Sequence, residues 1–579
     1  MAASPLLCFQ SGKFLSSPRM RVSPLAALAG CLWLVALPAP AEVINADPSN
    51  YRALLRGLKP GDTLNLASGR YPRLYLTGLN GTPDAWITIT GPPSGPPAVI
   101  AGEEGYNTIE ILNSSFLAIE TLRIDSHGIP GAFGISAKDG EANRVHNIRI
   151  EGNTFVGQNG GQGTVGISTK TPTWGWVIRY NRILGAGTGL YLGHSDGSLP
   201  FVAGLIEHNL VKDTIGYNLE IKHQNSIPAI EGMPTGPTST IIRNNVFIKN
   251  DQPSPDGDRP NVLVGGFPPN GAGSLNLYEV YGNYFLHNHR EALFQASGRV
   301  SLHDNVFVDG PYSYPAVVLM SHVYPLKIAY VYHNTVYTSG RGIHFGTRAL
   351  IDDAVAGNLI FALTPLSGTI MRQSGNTVDS TANAAAYVKL PSFTAGEMDF
   401  YPLPGKCQGA PLDLSLFHTD TDYHLDFNGT PKTQGQGMVV FRGAYAGEAD
   451  NPGWTLQADI KFPRPPAPST PPVLVWMEPG SGQAGTTVAV TLTGAGFTPE
   501  ATVSAGSGVT VSDVMVKSPT QITASVAIAG GALAGIRELT VQQASGSSNA
   551  LPFRVNSRAG TDTTEPPVRR KPGSNRKSS

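Results

Sequence analysis

The sequence predicts an all-β protein: a right-handed parallel β-helix followed by a small β-sandwich. Three observations carry that expectation. An Asn preceded by a short apolar strand recurs through the middle of the chain. Gly (67) and Pro (47) are scattered among Val, Ile, Thr and Asn rather than pooled into low-complexity runs. Residues 473–556 alternate apolar and polar, as strands with one buried face do.

In chain order, residues 1–41 read as an export signal. Arg19 and Arg21 precede the apolar stretch Pro24 to Leu37, and Ala39-Pro40-Ala41 forms a small-x-small cleavage site. The apolar stretch is short against the roughly 20 residues of a membrane span, so no span is expected. Leu28-Ala29-Gly30-Cys31 resembles a bacterial lipoprotein box, although the apolar run continues past Cys31. The expected location is outside the cell, in a bacterial periplasm or on a cell surface. Removal of the signal leaves Cys407 as the one cysteine, so no internal disulfide is expected and stability must come from burial and stacking.

Residues 42–404 are the expected β-helix. Tyr51 to Leu58 suits a short helix capping the first coil. The repeat follows at Asn153, Asn181, Asn209, Asn245, Asn283, Asn305, Asn334 and Asn358, at spacings of 28, 28, 36, 38, 22, 29 and 24 by subtraction. Such spacings suit coils stacked at about 4.8 Å. Asn fits a recurring turn because it tolerates left-handed backbone angles and because stacked amides can bond from coil to coil. Residues 405–462 break the pattern and are expected to close the helix, whose last coil would otherwise expose a strand edge. A Pro-rich linker (463–472), the β-sandwich (473–556) and a basic, polar tail (557–579) complete the chain.

Two stretches carry family resemblances. Gly61-Asp-Thr-Leu-Asn-Leu66, Gly69-Arg-Tyr71 and Trp86-Ile-Thr-Ile-Thr90 resemble the opening of pectin-lyase-like β-helix proteins, in particular the chondroitinase B and alginate lyase type. Glu478-Pro479, Gly482, Gly485-Thr486, Gly494-Ala-Gly-Phe497 and Phe553-Arg-Val555 are similar to immunoglobulin-like IPT/TIG modules. The second resemblance implies a spacer or presenting domain without chemistry of its own.

Strand side chains alternate between faces, so the β-helix register sorts candidate site residues. Ile167, Leu190, Leu219, Val262, Leu293, Val317 and Ile343 are expected to point inward. Ser168, Lys170, Tyr191, Glu220 and Lys222 then share one outer face, with His194, Asp196, His223 and Gln224 just past the strand ends. His344 lies four coils from Glu220. A cluster of Lys, Tyr and Glu on a long face suits an acidic polysaccharide. β-Elimination needs a base for the proton beside the uronate carboxylate and a cation for the charge that develops. Lys222 or Tyr191 are candidates for the base, and Lys170, or calcium held by Glu220, for the cation. Ser168, His194, His223 and Gln224 are candidate sugar contacts.

The lyase resemblance implies a calcium-binding Glu, then the base Lys five positions on, then Ser. Glu220 and Ser226 match, but Asn225 stands where that Lys belongs, and Val264-Gly265-Gly266 where an Arg-His-Gly is implied. The first reading is therefore an exported, monomeric β-helix that binds an acidic polysaccharide; cleavage by β-elimination is left open, because the family's catalytic Lys and Arg are missing and non-family residues would have to perform it. The alternative is a non-catalytic envelope or adhesion rod. A glycoside hydrolase using Asp352-Asp353 is third. A net charge of -1 points away from nucleic acid, and no zinc-type Cys/His spacing or phosphate-binding loop is present.

Overall fold

The computed structural model describes residues 41–557, apart from 93, 139, 313, 433–437, 463–470, 499–500 and 544. The expected signal, Cys31 and the basic tail, with most of the Pro-rich linker, therefore fall outside the described residues. Among the described residues, no helix is long and apolar enough to cross a membrane.

Three parallel sheets wrap one apolar core. The first runs from Val43–Ala46 to Gln373–Ser374, the second from Gly69–Tyr71 to Thr377–Asp379, and the third from Leu74–Thr77 to Thr364–Gly368. Each coil visits them in that order. The coil around Asn181, for instance, uses Val177–Arg179, then Arg182–Leu184, then Thr188–Leu192. The short helix Tyr51–Leu55 covers the first coil by burying Tyr51 and Leu55.

The second sheet is made of strands mostly three or four residues long, immediately after each Asn, and the repeat pattern alone does not reveal it. Its inward column is Phe155, Ile183, Val211, Phe247, Phe285, Phe307, Val336 and Ile360, paired coil to coil and wholly buried. Phe285 and Phe307 stack at 4.5 Å between ring centres.

The recurring Asn builds a ladder. Each backbone N–H from Asn153 to Asn358 donates to the Oδ1 of the next Asn, at 2.9–3.1 Å, and each Nδ2 donates to the same oxygen. A ninth member, Asn376, ends it. Contrary to expectation, the recurring Asn is not itself in the left-handed conformation. The left-handed residue is the one before it: Gly152, Tyr180, His208, Asn244, Gly282, Asp304, His333 and Gly357. Asn holds its place through the buried amide, not through tolerance of positive φ.

The inward column of the third sheet also differs at one coil. Val262 pairs with Phe294, not Leu293, and Phe294 pairs with Val317. Phe294 fits there because its ring meets Phe285 edge-on at 6.0 Å. Leu293 is buried in the turn before the strand, and Gln295 takes the outer position between Leu263 and Val318.

The described residues of 381–462 pack on the outside of the second sheet, and Leu414, Phe417 and Val439 among them on Tyr332, Ala354 and Ala356 of the first. Their apolar side chains, including Ala384, Met398, Phe400, Phe427 and Tyr445, pack on Val246, Tyr284, Val306 and Phe361. Two buried lysines fasten this strap. Lys432 meets Asp304 at 2.6 Å, and Lys461 donates to the carbonyls of Gly282 and Phe427 and to Asn244 Oδ1. Cys407 lies in the same layer, its thiol pushed up to about 12 by burial. In a Cys8→Ser, Cys31→Ser chain, Cys407 should react with a thiol reagent only as fast as the strap opens. Labelling as rapid as that of an unstructured cysteine peptide would contradict this packing.

The C-terminal β-sandwich packs Val473–Glu478, Thr487–Ala495, Gln521–Ile528 and Val509–Ser518 as one sheet against a second. Leu492, Ile522, Val526, Leu539, Val541 and Phe553 lie in its core. Trp476 stacks on Tyr180 of the β-helix at 6.4 Å.

Candidate functional site

The outer column of the third sheet reads Tyr75, Glu110, Ser136, Ser168, Tyr191, Glu220, Leu263, each paired with the next. Beyond Leu263 it continues through Gln295, Val318, His344 and Ser367, so its two carboxylates, Glu110 and Glu220, both lie before Leu263. Lys170 and Lys222 follow Ser168 and Glu220 by two residues and therefore project from the same face.

These side chains converge. Lys170 Nζ lies 3.7 Å from the centre of the Tyr191 ring, and Lys222 Nζ lies 5.7 Å from it. Lys222 Nζ donates to Glu220 Oε1 at 2.8 Å. Tyr191 donates its hydroxyl proton to Ser195 Oγ at 2.9 Å. A cavity of about 390 Å³ opens over them, lined also by Gln162, Tyr217, Asp256 and Arg259.

The last two come from the insertion between Ile248 and Val262, whose length stretches the Asn spacing to 38. Gln162 fastens the insertion by donating to Gly257 O at 2.8 Å and accepting from Asp256 N–H at 2.9 Å. Arg259 is held by the carbonyls of Asp256 and Asp258, with its guanidinium 5.7 Å from the Tyr217 ring centre. Sequence patterning missed Arg259 because an insertion has no period. The long spacing was the one signal that chain was available there to build a wall.

The two lysines are electrostatically different. Burial pulls the Lys170 ammonium down to about 8, and the attraction of Glu220 only partly offsets this. Lys170 makes no ion pair among the described residues. Burial also acts against the Lys222 ammonium, but Glu220 more than compensates, through its charge and its hydrogen bond, and raises it. The Tyr191 phenol is raised, chiefly by burial, and so keeps its proton. Lys170, Lys222 and Arg259 face Glu220 and Asp256 here, so the cavity is positive while Lys170 is protonated and balanced once it is neutral.

Ser168, a member of the outer column, is nonetheless wholly buried, its hydroxyl without a hydrogen-bond partner. Gln224 is also buried, and donates to Phe201 O at 2.9 Å and to Tyr278 Oη at 3.3 Å, so its side chain serves the interior. His194 pairs with Asp196 at 2.7 Å on the rim. His223 is half-buried, edge-on to Tyr324 at 5.9 Å. Asn225, at the position of the implied lysine, accepts from the Tyr324 hydroxyl at 2.7 Å and donates to Asp196 O at 3.1 Å. His344 lies four coils from Glu220 and bonds Ser367 of the neighbouring coil. Asp352 is paired with Arg372, and Asp353 is buried and accepts from Met371 N–H at 2.6 Å, so these two do not face a substrate as a free pair.

Compared with known proteins, residues 471–552 match the family described as quinohemoprotein amine dehydrogenase, alpha subunit domain III. The chain matches no curated protein. Among solved structures it is similar to an alginate lyase of family PL6, at 13% identity and a TM-score of 0.33, over 58% of this chain and 51% of that one. The matched region thus spans about half the length of that lyase.

Proposed function

We propose that the protein binds an acidic polysaccharide across the third sheet and cleaves it by β-elimination in the cavity over Tyr191. The observation that carries this reading is the pairing of a depressed, unpaired lysine with a proton-retaining tyrosine. Lys170 Nζ stands 3.7 Å from the centre of the Tyr191 ring, in a cavity that Lys222 and Arg259 also line.

The step divides among these residues. The neutral amine of Lys170 takes the proton on the uronate carbon next to the carboxylate. Lys222 and Arg259 hold that carboxylate and stabilise the charge that spreads onto it. The bond from the neighbouring carbon to the glycosidic oxygen breaks as the carbon–carbon double bond forms. Tyr191 gives its proton to the departing oxygen. Glu220 keeps Lys222 charged and in place.

This assignment exchanges the roles of the two lysines expected from sequence. Lys222 is held charged by Glu220 and makes a poor base, whereas Lys170 is poised to act as one. Glu220 therefore works through Lys222 rather than through calcium. A rigid, non-catalytic rod would need no such convergence. The test is incubation of the purified chain with uronate polymers, with and without calcium, followed by ultraviolet absorbance of unsaturated ends. A rise with at least one polymer, independent of calcium, is expected. No rise with any of them, from folded protein, would remove the lyase reading.

A further inference from the structure

On the turn between the second and third sheets, two successive coils bring Asp251, His287 and His289 together. Their ligand atoms all lie within 4.8 Å of one another, the one such group of three among the described residues. We propose that these three residues bind one divalent transition-metal ion of the zinc type, independently of the polysaccharide cavity.

The register builds the site. Ile248 pairs with Leu286, and Leu286 with Val308, in adjacent coils. Asp251 and His289 each lie three residues past those paired strand ends, and His287 one residue past. The His-x-His spacing sends both imidazoles the same way, and their rings lie parallel with centres 6.1 Å apart. His287 Nε2 is 3.0 Å from Asp251 Oδ1, and His289 Nδ1 is 3.7 Å from it. Two imidazole nitrogens and one carboxylate oxygen make a three-ligand set that leaves a position for water. Calcium, which prefers a shell of oxygens, is poorly served by it.

Two buried polar groups point to a ligand. The Asp309 carboxylate is wholly buried, with one oxygen 4.0 Å from His287 Nδ1 and the other without a partner. Asp309 Oδ1 also accepts from Asn288 N–H at 3.1 Å, and at 4.0 Å it acts on the His287 ring through its charge rather than a hydrogen bond, favouring the proton on Nδ1 and leaving Nε2 free for an ion. His289 Nδ1, facing Asp251, is also shielded and without a hydrogen-bond partner. His289 Nε2 accepts from Arg290 Nε at 2.8 Å, which places the ring proton on Nδ1 when no ion is bound. On loading, that proton moves to Nε2 and the exposed Arg290 turns to solvent. Asp251 is open to solvent, giving the ion a path in, and the Tyr312 hydroxyl, 2.9 Å from its Oδ1, steadies it.

Asp251 lies in the same insertion as Arg259, so an ion here would fasten that segment to the next coil. Asn288, between the two histidines, already donates to Arg259 O at 2.8 Å.

The test uses the full chain stripped with a chelator, titrated calorimetrically with zinc and followed in parallel by thermal unfolding. The chain has 13 His, so the reading is a difference between variants. One zinc per chain is expected, with a raised unfolding temperature. Both effects should be lost in His287→Ala/His289→Ala. Asp251→Asn, altered at an exposed position, should retain its metal-free stability while binding weakens by at least about tenfold. Asp309→Asn should weaken it by about 10- to 100-fold, the range for residues behind a ligand. Zinc binding equal in the wild type, the double variant and Asp251→Asn would overturn the site, as would no binding by the wild type.

Discussion

Asn245→Ala should destabilise the β-helix by about 3–5 kcal/mol, at the upper end of single-residue effects. The Asn245 Nδ2 donates to Ile206 O at 2.8 Å, Arg243 O at 3.0 Å and Asn283 Oδ1 at 3.0 Å. Its Oδ1 accepts from Asn209 N–H at 3.0 Å and Asn209 Nδ2 at 2.9 Å. Truncation removes these bonds at once where Asn245 is wholly buried, leaving groups of the coil below without water or protein partners. Each such group costs about 1–3 kcal/mol, and partial relaxation keeps the total below the simple sum. Asn376→Ala is the control. It ends the ladder, is only half-buried and has a neighbour on one side, so its loss should cost no more than about 1 kcal/mol. Urea midpoints of the two variants, compared at equal slope, measure the difference. Equal shifts would mean that the ladder does not add stability coil by coil.

The same ladder explains what was legible in the sequence. A buried amide that must bond to its copies above and below can be replaced by nothing else, so it recurs as Asn and reveals the coil length. The left-handed residue before it was not legible, because the position accepts Tyr180, His208, Asp304 and His333 as well as Gly152. The three-residue strands of the second sheet were too short to show an alternation. At Leu293-Phe294 two apolar residues in succession satisfied either register, and only the ring of Phe285 decides between them. For the site, alternation alone put Lys170, Tyr191, Glu220 and Lys222 on one face. It could not foresee that Ser168 would be covered, that Gln224 would turn inward, or that Arg259 would be brought over from an insertion. Outward-facing in a strand pattern is a statement about direction. Burial by a neighbouring loop is a tertiary fact.

Lys170→Ala should lower the elimination rate by about 10²- to 10⁴-fold, the usual contribution of a positioned proton acceptor. The fold should be unaffected, because Lys170 makes no ion pair among the described residues and bonds only Ser195 Oγ, at 3.5 Å. The pH dependence gives a sharper test than the size of the loss. The reactive form of Lys170 is the neutral amine, and burial brings its ammonium down to about 8. The wild-type rate should therefore climb as pH rises through about 8 and level off above it. It should fall again only above the ordinary tyrosine value of 10.0, once Tyr191 loses the proton it must donate. Lys170→Arg keeps a cation that does not deprotonate in this range. It should bind the polymer while cleaving it no faster than the alanine variant. Lys222→Gln should act differently, weakening binding and transition-state stabilisation while leaving the rising limb to Lys170. That limb should move down slightly, or stay, in Glu220→Gln, because Glu220 is the main charge that opposes the depression of Lys170. If the rising limb near 8 persists in Lys170→Ala, the base is another group and the assignment fails, whatever the residual rate.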